Sequence, residues 1–426
     1  MNIKEFKEKL KKNCFKDLFI KLYGRDEKSL NEQKERYIST LDKFSKTYPE
    51  RENVNIYSAS GRSEIGGNHT DHQRGVVLAG AVNLDNIGVV SFHEEGIVRV
   101  KSEGYEPFEI SLNKLSPEKE DSGAALLVKG IIFSYVQKGV NVKGFDMYCT
   151  SSVVSGGGIS SSAAFEILIC TVIENYYNEN RSTPFEIAKI GQFSENTYLE
   201  KNCGLLDQTV SAYGGLVSID FKDEKNPVAE KIEFDFEEFG YALCITDTKK
   251  SHENLTPDYD AIRGEMGEVS KYFEKETLSE VDEEAFYDKL YDIRIKCSDR
   301  AVLRAMHFFS ETKRGLLEAK ALKEKDIDAF LKLVNESGES SAFLLQNLYS
   351  ASTPLSQEIP VAIAVSKKIL KGKGAVRVHG GGFAGTIQAF VPLPLLDEYK
   401  SEMEKLFGKD ACFKVSIRQM GGVEIK

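Results

Sequence analysis

Residues 156–164 read Gly-Gly-Gly-Ile-Ser-Ser-Ser-Ala-Ala and run directly into an apolar stretch that ends near Tyr177. That stretch is apolar nearly all round, which predicts a buried helix from about Ser160 to Tyr177. A helix start carries free N–H groups and partial positive charge, and both favour a phosphate. Glycines ahead of it let the phosphate approach the backbone. The serine hydroxyls either cap the helix or reach the phosphate and its cation. One cap uses one hydroxyl, and three serines stand here. The loop therefore predicts phosphate binding by Gly156, Gly157, Gly158, Ser160, Ser161, Ser162 and Ala163. The usual triphosphate loop, G-x-x-x-x-G-K-[ST], is absent, and so is the protein-kinase catalytic loop.

Two further glycine-rich loops flank this one in sequence. The first reads Gly61-Arg62-Ser63-Glu64-Ile65-Gly66-Gly67-Asn68-His69-Thr70-Asp71-His72. It is either a decorated turn or a set of polar side chains converging on a ligand. His69, Asp71 and His72 also suggest a metal, although no third histidine lies nearby. The last reads Gly380-Gly381-Gly382-Phe383-Ala384-Gly385 and matches the letters of the dinucleotide fingerprint. The residues after it, Thr386 to Val391, alternate like a strand where that fingerprint needs a helix. Among the acids, Asp207 lies between apolar neighbours in Cys203-Gly204-Leu205-Leu206-Asp207-Gln208, and Glu195 lies in a predicted helix. Either could equally be a solvent-facing helical acid.

The chain has 426 residues and a formal charge of −10, from 56 Lys+Arg against 66 Asp+Glu. An acidic balance argues against nucleic acid as partner, because phosphate neutralisation needs a basic surface. Seven scattered cysteines without a CxxC fit neither a metal ribbon nor a disulfide framework. Residues 147–173 carry one charge, Glu166, but their Ser and Gly content argues against a membrane span. No signal peptide is visible, and a cytoplasmic protein is expected. Residues 2–48 predict surface helices. Val54 to Ser58 predicts a strand, Gly61 to Gly75 a turn, and 76–100 several sheet segments. Helices are expected over 122–139 and 185–199, and strands over 140–150, 215–221 and 241–247. The charged stretch 222–234 reads as an interdomain connection. Helices then dominate to about Leu370, followed by a hairpin from Ala375 to Val391. Strands mixed with helices, without a regular βαβ rhythm, predict an α+β fold in two lobes.

Taken together and in order, the motifs resemble those of the galactokinase family of the GHMP small-molecule kinases. Gly61 to His72 resembles G-R-x-N-x-I-G-E-H-T-D-Y, and Gly156 to Ala163 resembles G-G-G-L-S-S-S-A. Cys203 to Gln208 is similar to C-G-x-M-D-Q, and Arg377 to Gly385 to R-M-T-G-G-G-F-G-G. The resemblance implies a ribosomal-S5-like N-terminal domain containing a left-handed βαβ unit, expected over residues 1–225. It implies a ferredoxin-like C-terminal domain over 226–426, with the site between them. It also implies an ATP-dependent kinase that phosphorylates the anomeric hydroxyl of a hexose, with Mg²⁺ as cofactor. Asp207 takes the place of the catalytic acid and Arg62 of the arginine that neutralises charge beside it. Ser162 and Glu195 match the Mg²⁺ ligands. Asn68, His69, Asp71, Gly204 and, on a looser match, Tyr259 stand at sugar-binding positions. The expected partners are a small sugar and a nucleotide, with no nucleic acid or membrane; oligomeric state is open.

Three departures stand out. Asn68 replaces a family glutamate that accepts from the 6-hydroxyl of galactose. Asn68 is neutral and can donate as well as accept, which opens galacturonate as an alternative to galactose. His72 and Gln73 are similar to plant galacturonokinases in this respect. Glu64 and Ser60 replace an asparagine and a proline. The chain also has no tryptophan, whereas the family stacks adenine on one; the matching position is about Ala124. A reading of another class, a non-catalytic sugar sensor, would lose residues from the serine loop, and here that loop is complete.

Overall fold

The computed structural model describes residues 1–153, 158–201, 203–223, 226–250 and 255–426. Twelve strands are found among them: β1 (Asn55–Gly66), β2 (Val76–Phe92), β3 (Ile97–Ser102), β4 (Phe108–Ser111), β5 (Phe145–Ser151), β6 (Leu216–Asp220), β7 (Val228–Ile232), β8 (Tyr241–Asp247), β9 (Ala375–Val378), β10 (Thr386–Pro392), β11 (Cys412–Val415) and β12 (Val423–Glu424). They form two sheets with helices around them, the α+β class expected.

The larger sheet runs β12-β1-β2-β5-β3-β4, with β6 on β2 and β7 on β6. β2 serves two neighbours on one edge. Its first half, Val76 to Gly80, pairs with β6, and its second half, Asn86 to Phe92, pairs with β5. β3 and β5 are parallel, and a parallel pair needs a crossover, supplied here by the helix Gly123–Gln137. Successive strand residues face opposite ways, and β1 buries both faces. Ile56, with Ile87 and Val89, packs on the N-terminal helices. Tyr57 and Ala59 pack in the core that contains Ile167 to Ile173 of the helix Ser161–Tyr176.

The smaller sheet, β11-β8-β10-β9, is antiparallel throughout. β1 is stitched to its β9–β10 hairpin by a buried polar seam. Gln388 donates to Ser63 Oγ at 3.1 Å and to the Glu64 carbonyl at 2.9 Å. Arg377 donates to the Ile65 carbonyl at 3.0 Å and pairs with Glu64. His379 bridges Ser63 at 3.0 Å and Thr386 at 2.9 Å. Buried polar groups that find partners fix one relative placement of the elements they join.

Two sequence expectations change here. Gly61 to Gly66 continues as strand, where the composition predicts a turn. Register shifts at Ser60/Arg62 and Glu64/Gly66 absorb its irregular composition. Residues 228–232 form β7, where the composition predicts a connection; exposed, charged edge strands read like linkers. The expected division at 225/226 therefore falls between two paired strands. β12, at the far end of the chain, also lies in the first sheet on β1, so the sheets are not collinear with the chain.

His379 makes the seam acid-sensitive. Burial, then Arg62 and Arg377, push its pKa down to about 3. Between pH ~6.5 and that value the unfolded chain binds a proton that the folded one excludes, so stability falls as pH falls. One such group gives a slope of at most about 1.4 kcal/mol per pH unit. His379→Gln should reduce the difference between urea midpoints at pH 7 and pH 5; an unchanged difference would rule His379 out as a source.

Candidate active site

The segment 203–208 is the hub of the site. The helix Leu206–Tyr213 begins there and places Asp207 in its first turn, where the helix dipole favours a carboxylate. Arg62, on β1, donates from Nε to Asp207 Oδ1 at 2.7 Å and from Nη1 to the Gly158 carbonyl at 2.5 Å. The Ser160 hydroxyl donates to the other Asp207 oxygen. Ser160 precedes the helix Ser161–Tyr176 in a left-handed conformation, φ 53°, and makes no cap bond. Its hydroxyl is thus turned toward Asp207, and the first N–H groups of the helix are left for a ligand. Gly61 permits this approach of strand and loop: a Cβ there would meet the Ile159 carbonyl at 2.5 Å.

Gln208, next in sequence, faces the other way. Its amide donates to Glu195 at 3.0 Å and to Glu166 at 2.9 Å. The Ser162 hydroxyl donates to Glu195 at 3.4 Å, and Lys201 pairs with the same Glu195 oxygen. Glu166 is fully enclosed. Burial, then the Glu195 carboxylate, push its pKa up to about 8. A carboxylate, a hydroxyl and a second acid behind them form a hard-oxygen corner beside the helix start.

Gly204, three residues before Asp207, faces Asp71: a Cβ on it would lie 3.2 Å from Asp71 Oδ2. The two line a groove of about 850 Å³ together with His72, Gln192, Asn196 and Arg263. His69 and Tyr259 bond to the third glycine loop, His69 Nε2 to the Gly381 carbonyl and the Tyr259 hydroxyl to the Gly382 carbonyl, each at 2.9 Å. His72 is held neutral, since burial and then His69 and Arg263 push its pKa down to about 3. Among the described residues no His, Cys, Asp or Glu cluster could hold a metal ion on its own. The His69–Asp71–His72 metal alternative therefore has no ligand set there.

A separate cavity of about 510 Å³ adjoins Ser161 and Ser162. Tyr105, Phe108 and Phe165 line it, with Ala124 and Val153. The start of the helix Ser161–Tyr176 thus borders an aromatic-lined cavity. Of the residues expected at the phosphate, Gly156 and Gly157 fall outside the described residues. Ala163 is buried in the helix.

Asn68 is enclosed by protein partners. It is 0% exposed. Its amide donates to Glu64 at 2.9 Å and to the Gly380 carbonyl at 2.7 Å, and its oxygen accepts from Asn347 at 3.0 Å. These partners, from β1, the third glycine loop and the segment ahead of it, draw Asn68 beneath the surface, off the groove. Lys201, Tyr105, Phe108 and Phe165 carry no signal in the sequence; Glu166 is marked only as the lone charge in an apolar stretch, and Gln208 only as the end of the 203–208 motif. Glu166 meets Gln208 across 42 residues.

A helix start beside an acid–arginine pair, on this two-sheet scaffold, is an arrangement suited to a small-molecule kinase. The GHMP kinases N terminal domain family matches residues 126–215, and the galactokinase galactose-binding signature matches residues 42–92. The galactokinase of Glaesserella parasuis is 30% identical over 85% of this chain and 90% of its own length. That of Clostridium tetani is 28% identical over 92% and 95%. In fold, the chain is similar to Lactococcus lactis galactokinase, solved in complex with galactose, at TM-score 0.77, 22% identity, and coverage of 91% of this chain and 99% of that one. It is also similar to a mevalonate kinase at TM-score 0.60 and 16% identity, over 85% of this chain and 98% of that one. The chain belongs to the galactokinase family. It is an enzyme, an ATP-using kinase. No helix among the described residues is long and apolar enough to cross a membrane.

Proposed function

We propose that this protein transfers the γ-phosphoryl group of ATP to the anomeric hydroxyl of galactose, giving galactose 1-phosphate and ADP. The observation that carries this reading is the Asp207 carboxylate held between Arg62 and Ser160. It lies beside the helix start, three residues after Gly204 of the groove lining. Galactose would occupy the groove side, against Asp71, Gly204, His69 and Tyr259. Asp207 would accept the hydroxyl proton, or orient the hydroxyl, as the oxygen attacks phosphorus. Arg62 would balance charge as it builds on the phosphoryl oxygens, and the helix N–H groups would hold the phosphates of ATP. Such transfer depends mainly on position and charge. The adenine ring would occupy the cavity beyond Ser161, where Tyr105, Phe108 and Phe165 offer aromatic surface in place of the missing tryptophan.

The donor set beside that helix fits Mg²⁺, which binds through one or two carboxylates plus substrate phosphates. Ser162 and Glu195 would hold it, with Gln208 and Glu166 fixing Glu195 from behind. When bound, the ion neutralises phosphate charge. Glu195→Gln should raise the Mg²⁺ concentration for half-maximal rate by at least about tenfold, with the sugar KM unchanged. A normal Mg²⁺ dependence would remove Glu195 from the metal site.

The case for galacturonate rests on Asn68 as a groove residue, and Asn68 is enclosed. Galactose is therefore the reading preferred over galacturonate. ADP release should be measured with galactose, galacturonate, glucuronate, N-acetylgalactosamine and arabinose. Galactose should give the highest kcat/KM; a higher value for galacturonate would overturn this substrate assignment.

A further inference from the structure

Three successive carbonyls of the Gly380–Gly382 turn accept bonds from side chains of the loop after β1 and of more distant segments. Gly380 accepts from Asn68, Gly381 from His69 and Asn347, and Gly382 from Tyr259. Asn68 is fully enclosed, and its amide is spent on the protein. Nδ2 donates to Glu64 and Gly380, while Oδ1 accepts from Asn347 at 3.0 Å. The Asn68 carbonyl accepts from His307 Nε2 at 2.9 Å. Glu64 in turn holds Arg377 on β9. Both N–H groups of the Asn68 amide are thus committed to acceptors other than a sugar hydroxyl.

We propose that Asn68, with Glu64 as its partner, is a positioning residue. It locks the 380–382 turn to the loop after β1, so that His69 and Tyr259 meet the sugar in the right place, and it does not read the sugar's C6 substituent. The donor–acceptor logic is specific. Asn68 faces two acceptors, the Glu64 carboxylate and the Gly380 carbonyl, and needs an N–H for each. A carboxylate at residue 68 would meet both acceptors with none. The turn would then separate from the loop and carry the Tyr259 and His69 contacts with it. A displacement on the order of 1 Å is enough to cost about 10²-fold in rate.

The test rests on the galactokinase reading, and its readouts separate the two. Turnover of galactose by the unaltered protein measures that reading. Asn68→Asp and Asn68→Ala measure this one, with galactose and with 6-deoxygalactose. Both variants should raise the sugar KM by about tenfold or more while the ATP KM stays within about twofold. The ratio of kcat/KM for galactose over 6-deoxygalactose should stay within about threefold of the unaltered protein's, because a positioning group acts on both sugars alike. If Asn68→Asp fails to fold, Asn68→Ala carries the test, because it adds no charge. A galactose to 6-deoxygalactose ratio that collapses in Asn68→Ala would make Asn68 a C6 contact and overturn the proposal. So would a loss confined to kcat with both KM values unchanged, which marks only a smaller folded fraction.

Discussion

Asp207→Asn is expected to lower kcat by about 10²–10⁴-fold, the range for loss of a positioned proton acceptor. Asn matches Asp in shape. Its amide oxygen can still accept from Arg62 or from the Ser160 hydroxyl, so the site should keep its form. The charge that draws the sugar proton is lost, and with it the interaction that grows toward the transition state. Galactose affinity should change by less than about threefold, because Asp71, Gly204, His69 and Tyr259 are untouched. Calorimetry is the natural assay, since a chain without tryptophan offers no intrinsic tryptophan signal. Turnover near that of the unaltered protein would remove Asp207 from the chemistry. A parallel loss of sugar binding would make it a substrate anchor.

Arg62→Ala should cost about 10²–10³-fold in kcat, the scale for one preorganised charge-stabilising donor. Arg62 has two jobs at once: Nε fixes Asp207 and Nη1 ties the Gly158 carbonyl of the phosphate loop. Only a planar fork reaches both in fixed directions. Arg62→Lys keeps the charge but one of the two bonds, and should recover only part of the loss. The pair is partly open to solvent, with side-chain exposures of 14% for Arg62 and 32% for Asp207, so stability should change little. The decisive comparison is kcat for Ala, Lys and Arg at this position. Equal rates for Lys and Arg would reduce Arg62 to a charge, and equal rates for all three would remove it from the mechanism.

Much of this site is legible in the chain because its parts are local. The Ser160–Ala164 helix start, Asp207 beside Gln208, and Asp71 after the first loop are set by short runs of sequence. Their chemistry follows from backbone geometry available to any such run. The strand after Gly385 is likewise plain from alternation, and it excludes the dinucleotide reading. Other features are hidden for a physical reason. Glu166 looks like a stray charge in an apolar helix until Gln208, 42 residues on, is brought to its carboxylate. Tyr105, Phe108 and Phe165 line one cavity only because the fold brings the β3–β4 hairpin and the helix Ser161–Tyr176 to its two sides. β7 lacks a hydrophobic face because it is an edge strand on β6, and so it reads as a linker.

Asn68 shows the boundary most clearly. By itself the sequence determined the α+β class and the glycine-serine helix start, since those rest on glycine freedom, free N–H groups and residue chemistry within short windows; the Arg62–Asp207 pair, 145 residues apart, was implied only by the family resemblance. It could state that residue 68 both donates and accepts, but not to whom. Only the tertiary structure decided that, by bringing up the Gly380 carbonyl from 312 residues away and Asn347 from 279. A hydrogen bond is exhausted by its nearest partner, and which partner is nearest is a property of the fold.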